Sequence, residues 1–183
     1  MILRPEVGIM PSDITCMTAV AVCRAIEDIT HHEPSIKCVN DVYVKGKKVC
    51  GILTEGAYSF EDERLEYAIV GIGINVTKPK GGFDESIEDI ATYLEDDSTK
   101  RNVLIARILS YMYDYITSFD KTVILSAYRE RMRFLGCEVD VIMHNGQYNA
   151  VVDRVDDDFG LIVRADDGAE KKLTYGEISL KVK

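Results

Sequence analysis

The spacing of apolar residues changes once along this chain, and that change limits the fold more than any other feature. Up to about residue 135, apolar residues recur mainly every three or four positions or gather in short strand-like runs. From Cys137 they alternate, with Val139, Val141 and Met143 separated by polar neighbours. A period near 3.6 buries one face of a helix, whereas a period of two buries one face of a strand. The chain therefore divides into an α+β part, residues 1–135, and a small all-β part, residues 136–183. Asn145-Gly146, Phe159-Gly160 and Asp167-Gly168 punctuate the second part into four or five short strands, which predicts a small antiparallel barrel.

Within the first part, Met1–Pro5 reads as a strand end stopped by proline. Ser12 is the expected N-cap of a helix carrying Ile14, Met17, Ala21, Ala25 and Ile29 on one face, ended by His31-His32-Glu33-Pro34. Short strands are expected at Ile36–Val39, Val42–Val44 and Lys48–Thr54, with Lys45-Gly46 as a hairpin turn. Leu65–Val76 is apolar enough to predict a central strand covered on both faces. Gly56–Arg64 and Thr77–Phe83 read as loops. Ile87, Ile90, Ala91 and Leu94 predict a helix, with Ser98 or Thr99 capping the next. That next helix carries Leu104, Ile108, Met112, Tyr115 and Phe119, and a further one spans Thr122–Phe134, stopped at Leu135-Gly136.

Charge and cysteine usage exclude several classes. The chain has 22 Lys+Arg against 31 Asp+Glu and a formal charge of -9, without a basic stripe, so nucleic acid is not expected as a main partner. The five cysteines show no C-x-x-C or zinc spacing, so no metal site is expected and the thiols read as buried and free, as in a reducing cytoplasm. No signal peptide and no membrane-length apolar run is visible.

Three segments carry chemistry: Lys37-x-x-Asn40-Asp41, Gly46-Lys47-Lys48-x-x-Gly51-Ile52-Leu53-x-Glu55, and Gly71-x-Gly73-x-Asn75-Val76. Glycines in two strands let a flat ligand approach the backbone closely. A lysine at a strand end can bind a carboxylate or phosphate and stabilise charge growing on a transferring group. Asn75 can offer a donor and an acceptor to a purine edge. Taken singly, each has a plainer reading. Lys37 is a solvated strand-end lysine, Asn40-Asp41 a turn, Gly71 and Gly73 a bulge, and Lys47 and Lys48 hairpin-tip charges. Gly-x-Gly without a following helix is not a dinucleotide fingerprint.

In this order and spacing, the three segments resemble the catalytic domain of biotin protein ligases. The tail, ending Gly176-Glu177-Ile178-Ser179-Leu180, resembles the SH3-like domain that closes those chains. The resemblance runs from about Ile2 to Leu180. It implies a mixed or antiparallel sheet with helices, related to class II aminoacyl-tRNA synthetases, followed by an SH3-like barrel. It also implies two half-reactions: biotin and Mg-ATP (with Mg2+ as metal) give biotinyl-AMP, and a lysine of a biotin carboxyl carrier protein then takes the biotinyl group. By the same resemblance Lys37 is the catalytic cation and contacts biotin, Gly51, Ile52 and Leu53 line the biotin pocket, and Asn40, Asp41 and Asn75 serve ATP or the adenylate.

Two departures from the family pattern bear on this. Cys38 and Val39 stand where the family usually has Trp and often Pro, which removes a large apolar wall. The Gly/Arg-rich loop that the family carries upstream of the first strand is not in this sequence, so an adenylate is expected to lack its lid. An incomplete sheet edge is expected to favour self-association into a homo-oligomer. The alternatives are a non-catalytic ligand- or partner-binding module of the same fold, and a lipoate or octanoate attachment enzyme.

Overall fold

A computed structural model describes residues 1–94, 100–143, 146–173 and 178–182. Strand β1 (Ile2–Leu3) leads into helix α1 (Pro11–Ile29), then β2 (Ser35–Lys37), β3 (Asp41–Val44), β4 (Lys47–Ser59) and β5 (Arg64–Ile74). Helices α2 (Lys100–Thr117) and α3 (Lys121–Glu130) follow, and then β6 (Glu138–Met143), β7 (Gly146–Val155), β8 (Leu161–Ala165), β9 (Glu170–Leu173) and β10 (Ile178–Val182). Two five-stranded sheets result, ordered β1-β5-β4-β3-β2 and β10-β6-β7-β8-β9, and every strand pairing is antiparallel. The α+β class expected from the sequence is the one observed.

Helix α1 is the centre of the core. Ile14, Met17, Val20, Val22 and Ile26 are fully buried, and they point to more than one side of the helix. Such all-round burial follows from packing against the first sheet on one side and α2 and α3 on the others. The helix begins at Pro11 rather than after Ser12. Proline has no N–H to waste in a first turn and its φ is already helical, while Asp13 accepts a hydrogen bond from the Met10 N–H at 2.8 Å. Its few buried hydroxyls are satisfied: Thr15 donates to Pro11 O (2.9 Å) and meets the Thr54 hydroxyl at 2.8 Å, and Thr18 donates to Ile14 O (2.7 Å).

Four elements differ from the sequence expectation. Strand β4 runs through Gly56 to Ser59 instead of giving way to a loop, and a short turn closed by Ser59 and Asp62 joins it to β5. Its polar residues are outward positions of an extended hairpin, not loop residues. Strand β5 is covered on one face only: Leu65, Ala68 and Val70 are buried, while Tyr67, Ile69, Gly71 and Gly73 face outward. Two of those outward positions are glycines, which interrupt no apolar run and so hide the alternation. Residues 84–94 do not form the expected helix. They run in turns and then lie along β4, with Lys48 N–H donating to Ile90 O (2.8 Å), Thr92 N–H to Lys48 O (2.8 Å) and Leu94 N–H to Asn75 O (3.0 Å). Backbone groups committed to a strand cannot also close helical turns. Helix α3 stops at Glu130, because the Arg131 carbonyl accepts from Ile36 N–H (2.9 Å) and Gly136, at φ +78, donates to Val152 O (2.7 Å). The expected caps Ser98 and Thr99, and Asn145 and Gly176-Glu177, lie outside the described residues.

Helix α3 is capped by Asp120, whose carboxylate accepts from the N–H groups of Thr122 (2.9 Å) and Val123 (3.2 Å). Asp120→Ala should destabilise the fold by about 1 kcal/mol, read as a fall in Tm of roughly 2–4 °C.

The two sheets are joined through α3. Tyr128, fully buried, sets its ring edge-on to Phe159 at 5.8 Å and donates to Val39 O at 3.1 Å. Arg129 donates twice to Val155 O (3.0 and 2.6 Å), and Lys121 pairs with Asp158 at 3.0 Å. Among the described residues, no helix is long and apolar enough to cross a membrane. The five cysteines are free; Cys16, Cys23 and Cys50 are buried and Cys38 and Cys137 partly so.

Candidate functional site

The side of the first sheet facing away from α1 is open, and the ladder register lays a row of residues across it. Lys37 pairs with Asp41, Asp41 with Gly51, and Gly51 with Gly73. Directly paired residues share a face, and their neighbours Ile36, Val42 and Cys50 are buried on the other one. The row therefore begins with a cation and an anion and ends in two glycines. Next to it, Leu53 stands opposite Gly71, and beyond that Ile69 stands opposite Ile2 and Glu55. Leu53, Ile69 and Ile2 are 54%, 44% and 63% exposed, an apolar strip beside a charged trough.

The charged end is tightly arranged. Lys48 Nζ lies 2.5 Å from Asp41 Oδ1. The Lys37 ammonium sits 5.7 Å from the centre of the Tyr43 ring, and Tyr43 packs edge-on to Phe134 at 5.7 Å. Lys37 also lines a small gap closed by Met132, Phe134, Val139 and Leu161, so α3's end and the second sheet help to desolvate it. Burial holds the Lys37 amine below the usual lysine range; Asp41 opposes this and Lys48 adds to it. Burial pushes the neighbouring Cys38 thiol up to about 12, which makes it an inert packing group.

The structure sorts the residues singled out from the sequence. Lys37, Asp41, Gly51 and Leu53 come together on the open face. The Ile52 side chain is 2% exposed and faces the helices, and both of its backbone groups are taken by Asn40: Ile52 N–H donates to Asn40 O (2.9 Å), and Asn40 Nδ2 donates to Ile52 O (2.7 Å). Asn40 thus pins the β2–β3 turn to β4. Asn75 follows β5, where its Nδ2 donates to Thr92 O at 3.0 Å. It borders a separate cleft of about 470 Å³, between the sheet end and α2, lined also by Ile72, Thr77, Lys78, Pro79 and Arg101. Sequence reasoning passed over Lys48, taken as a hairpin-tip charge. The signal lay in Lys48-x-x-Gly51, because antiparallel pairing and the missing Gly51 side chain fold that lysine back over the strand. Among the described residues, no group of three or more His, Cys, Asp or Glu could hold a metal ion.

The glycine floor gives a direct test. A Cβ on Gly73 would meet nothing closer than Gly51 O at 3.9 Å. Gly73→Val should therefore fold normally, with Tm unchanged within about 2 °C, yet fill the trough and weaken binding of any ligand seated there by about tenfold or more.

The fold is shared with solved enzymes of one class. The biotin protein ligase of Aquifex aeolicus, in its apo form, superposes with a TM-score of 0.80 at 26% identity, over 100% of this chain and 80% of that one. The same enzyme in complex with biotin and ATP gives 0.79 at 27% identity, covering 100% and 77%. The family model for biotin/lipoate A/B protein ligases matches residues 1–75. The bifunctional ligase/repressor BirA of Bacillus subtilis (strain 168) is 31% identical over 188 residues, 98% of this chain and 57% of that protein. Over its whole length this chain is similar to biotin protein ligases, and its first 75 residues match the biotin/lipoate A/B protein ligase family. It spans 57% of the length of the curated relatives it matches.

Proposed function

We propose that this chain binds biotin and activates it with ATP, for transfer to a lysine of a biotin carboxyl carrier protein. The observation that carries this is the Lys37–Asp41–Gly51–Gly73 row with an apolar strip alongside. A ligand with a flat apolar body and one carboxylate matches that arrangement, and the related Aquifex aeolicus enzyme has been solved with biotin and ATP. In the first half-reaction a biotin carboxylate oxygen attacks the α-phosphorus of ATP, forming a new P–O bond as pyrophosphate leaves. Lys37 donates to the oxygens on which negative charge gathers, a role for a preorganised cation in a partly dry site. In the second, the carrier lysine attacks the acyl carbon, forming the amide and releasing AMP. Magnesium enters with the nucleotide as substrate, carried on its phosphates. Such chemistry belongs to the cytoplasm, where ATP and the carrier are found together.

One observation favours a second reading, a binding module without turnover. Asn40 and Asn75 each donate one side-chain N–H to a backbone carbonyl, at 2.7 and 3.0 Å, so both serve the chain's own backbone. Incubation with biotin and Mg-ATP, followed by mass spectrometry for biotinyl-AMP, separates the two. Adenylate that is formed by the wild type and lost in Lys37→Ala supports the ligase reading. Biotin binding without adenylate supports the module.

A further inference from the structure

We propose that Lys48 is the specificity-determining cation of the trough, the group that makes it prefer an anionic ligand over a neutral one of the same shape. This rests on the reading above, that a small acid or its activated form lies on the open face.

Local charge carries the first step. Lys37 and Asp41 face each other across the ladder and sum to zero, on a chain whose net charge is -9. A neutral pair set in an acidic protein gives an anion no net long-range attraction, whatever short contact Lys37 itself makes. Lys48 supplies the excess positive charge, and its ammonium is 2.5 Å from Asp41 and on the open side of the row.

Placement carries the second step. The Lys48 backbone is fixed on both sides, its N–H donating to Ile90 O and its carbonyl accepting from Thr92, both at 2.8 Å. Its side chain then lies across Gly51: a Cβ on that glycine would stand 3.3 Å from both Lys48 Cε and Nζ. The absent side chain is therefore what lets Lys48 reach inward. With 42% of its side chain exposed, Lys48 can turn from the carboxylate of Asp41 to an incoming anionic oxygen without crossing a packed layer. Lys37, by contrast, is held beneath Tyr43 and the second sheet. The two lysines thus divide the work: Lys37 is fixed, and Lys48 exchanges a resident carboxylate for the ligand's.

The test is calorimetric titration of the full chain and its Lys48→Met variant with biotin, with the neutral primary amide of biotin, and with biotinyl-5′-AMP. The wild type should bind biotin about tenfold or more tighter than the amide, as expected for a charge-assisted hydrogen bond. Lys48→Met should lose most of that preference, by weakening biotin while leaving the amide within about twofold, and Lys48→Arg should restore it. A parallel loss for biotinyl-5′-AMP places a phosphate oxygen within reach of Lys48, whereas a loss confined to biotin limits the contact to the carboxylate. The inference is overturned if Lys48→Met keeps the wild-type preference and adenylate affinity, or if the wild type shows no preference or binds none of the three. Failure of the ligase reading looks different: wild-type protein that binds biotin with the Lys48-dependent preference but forms no adenylate from ATP.

Discussion

Lys37→Ala is expected to weaken binding of biotinyl-AMP by roughly 10- to 100-fold, the loss of a charge-assisted hydrogen bond worth about 1.5–3 kcal/mol. Isothermal titration of wild type and variant reads this directly. A change below about threefold would place the ligand away from the row. The same substitution should leave the fold intact, and Lys37→Met should raise Tm. The reason is linkage. Burial lowers the Lys37 pKa in the folded chain below its unfolded value, so carrying its proton opposes folding. That penalty is full below the folded pKa and is relieved as pH rises from the folded value to the ordinary lysine value. Wild-type stability should thus gain on Lys37→Met as pH climbs through that window, and anion binding by Lys37 should fade at a lower pH than for a free lysine. Equal pH dependence in the two proteins would contradict the assignment.

The second large effect concerns the joint between the two sheets. Tyr128 is fully buried, edge-on to Phe159 and bonded to Val39 O, with the Cys16 and Cys38 thiols beside its hydroxyl. Tyr128→Ala leaves a cavity with a ring's volume and an unpartnered carbonyl. It should destabilise the chain by about 3–5 kcal/mol and lower Tm by roughly 10 °C or more. Tyr128→Phe removes only the hydrogen bond and should lose about 1 kcal/mol. Val39 follows Cys38 and Lys37, so the joint also backs the trough. A Tyr128→Ala protein that remains folded at low temperature should bind the adenylate more weakly than Tyr128→Phe does, although neither side chain lies in the trough. Matching affinities in the two variants would show that the second sheet does not support the site.

The joint and the trough also explain why one part of this protein is charged on its surface and quiet within. The acidic turn of the second sheet, Asp156–Asp158, is met by Lys121, Arg129 and Lys172 rather than left free. Those pairs are largely exposed and contribute little each. The buried Tyr128–Phe159 contact is the larger attachment.

Much of the architecture follows from the sequence by itself. The period of 3.6 in Leu104–Phe119 and the period of two after Cys137 state which face each element must bury, and the stripe in Ile14–Ile29 marks α1 as a helix, although the structure buries it all round. The three motif segments are equally legible, because glycine and lysine at fixed spacing stand out against any background. Tertiary structure decided the rest. Residues 84–94 carry apolar residues at helical spacing, yet their backbone groups are claimed by Lys48 and Asn75 from elsewhere in the chain. Strand β5 reads as doubly covered because glycine marks no polarity, and only the packing of α1 on one side shows that its other face is open. Lys48 reads as a hairpin-tip charge by spacing, and the fold sets it beside Asp41 and over Gly51. A sequence records what each residue prefers locally. Which strand lies opposite which, and hence which side chains meet across a ladder, is settled by long-range pairing that no local pattern contains.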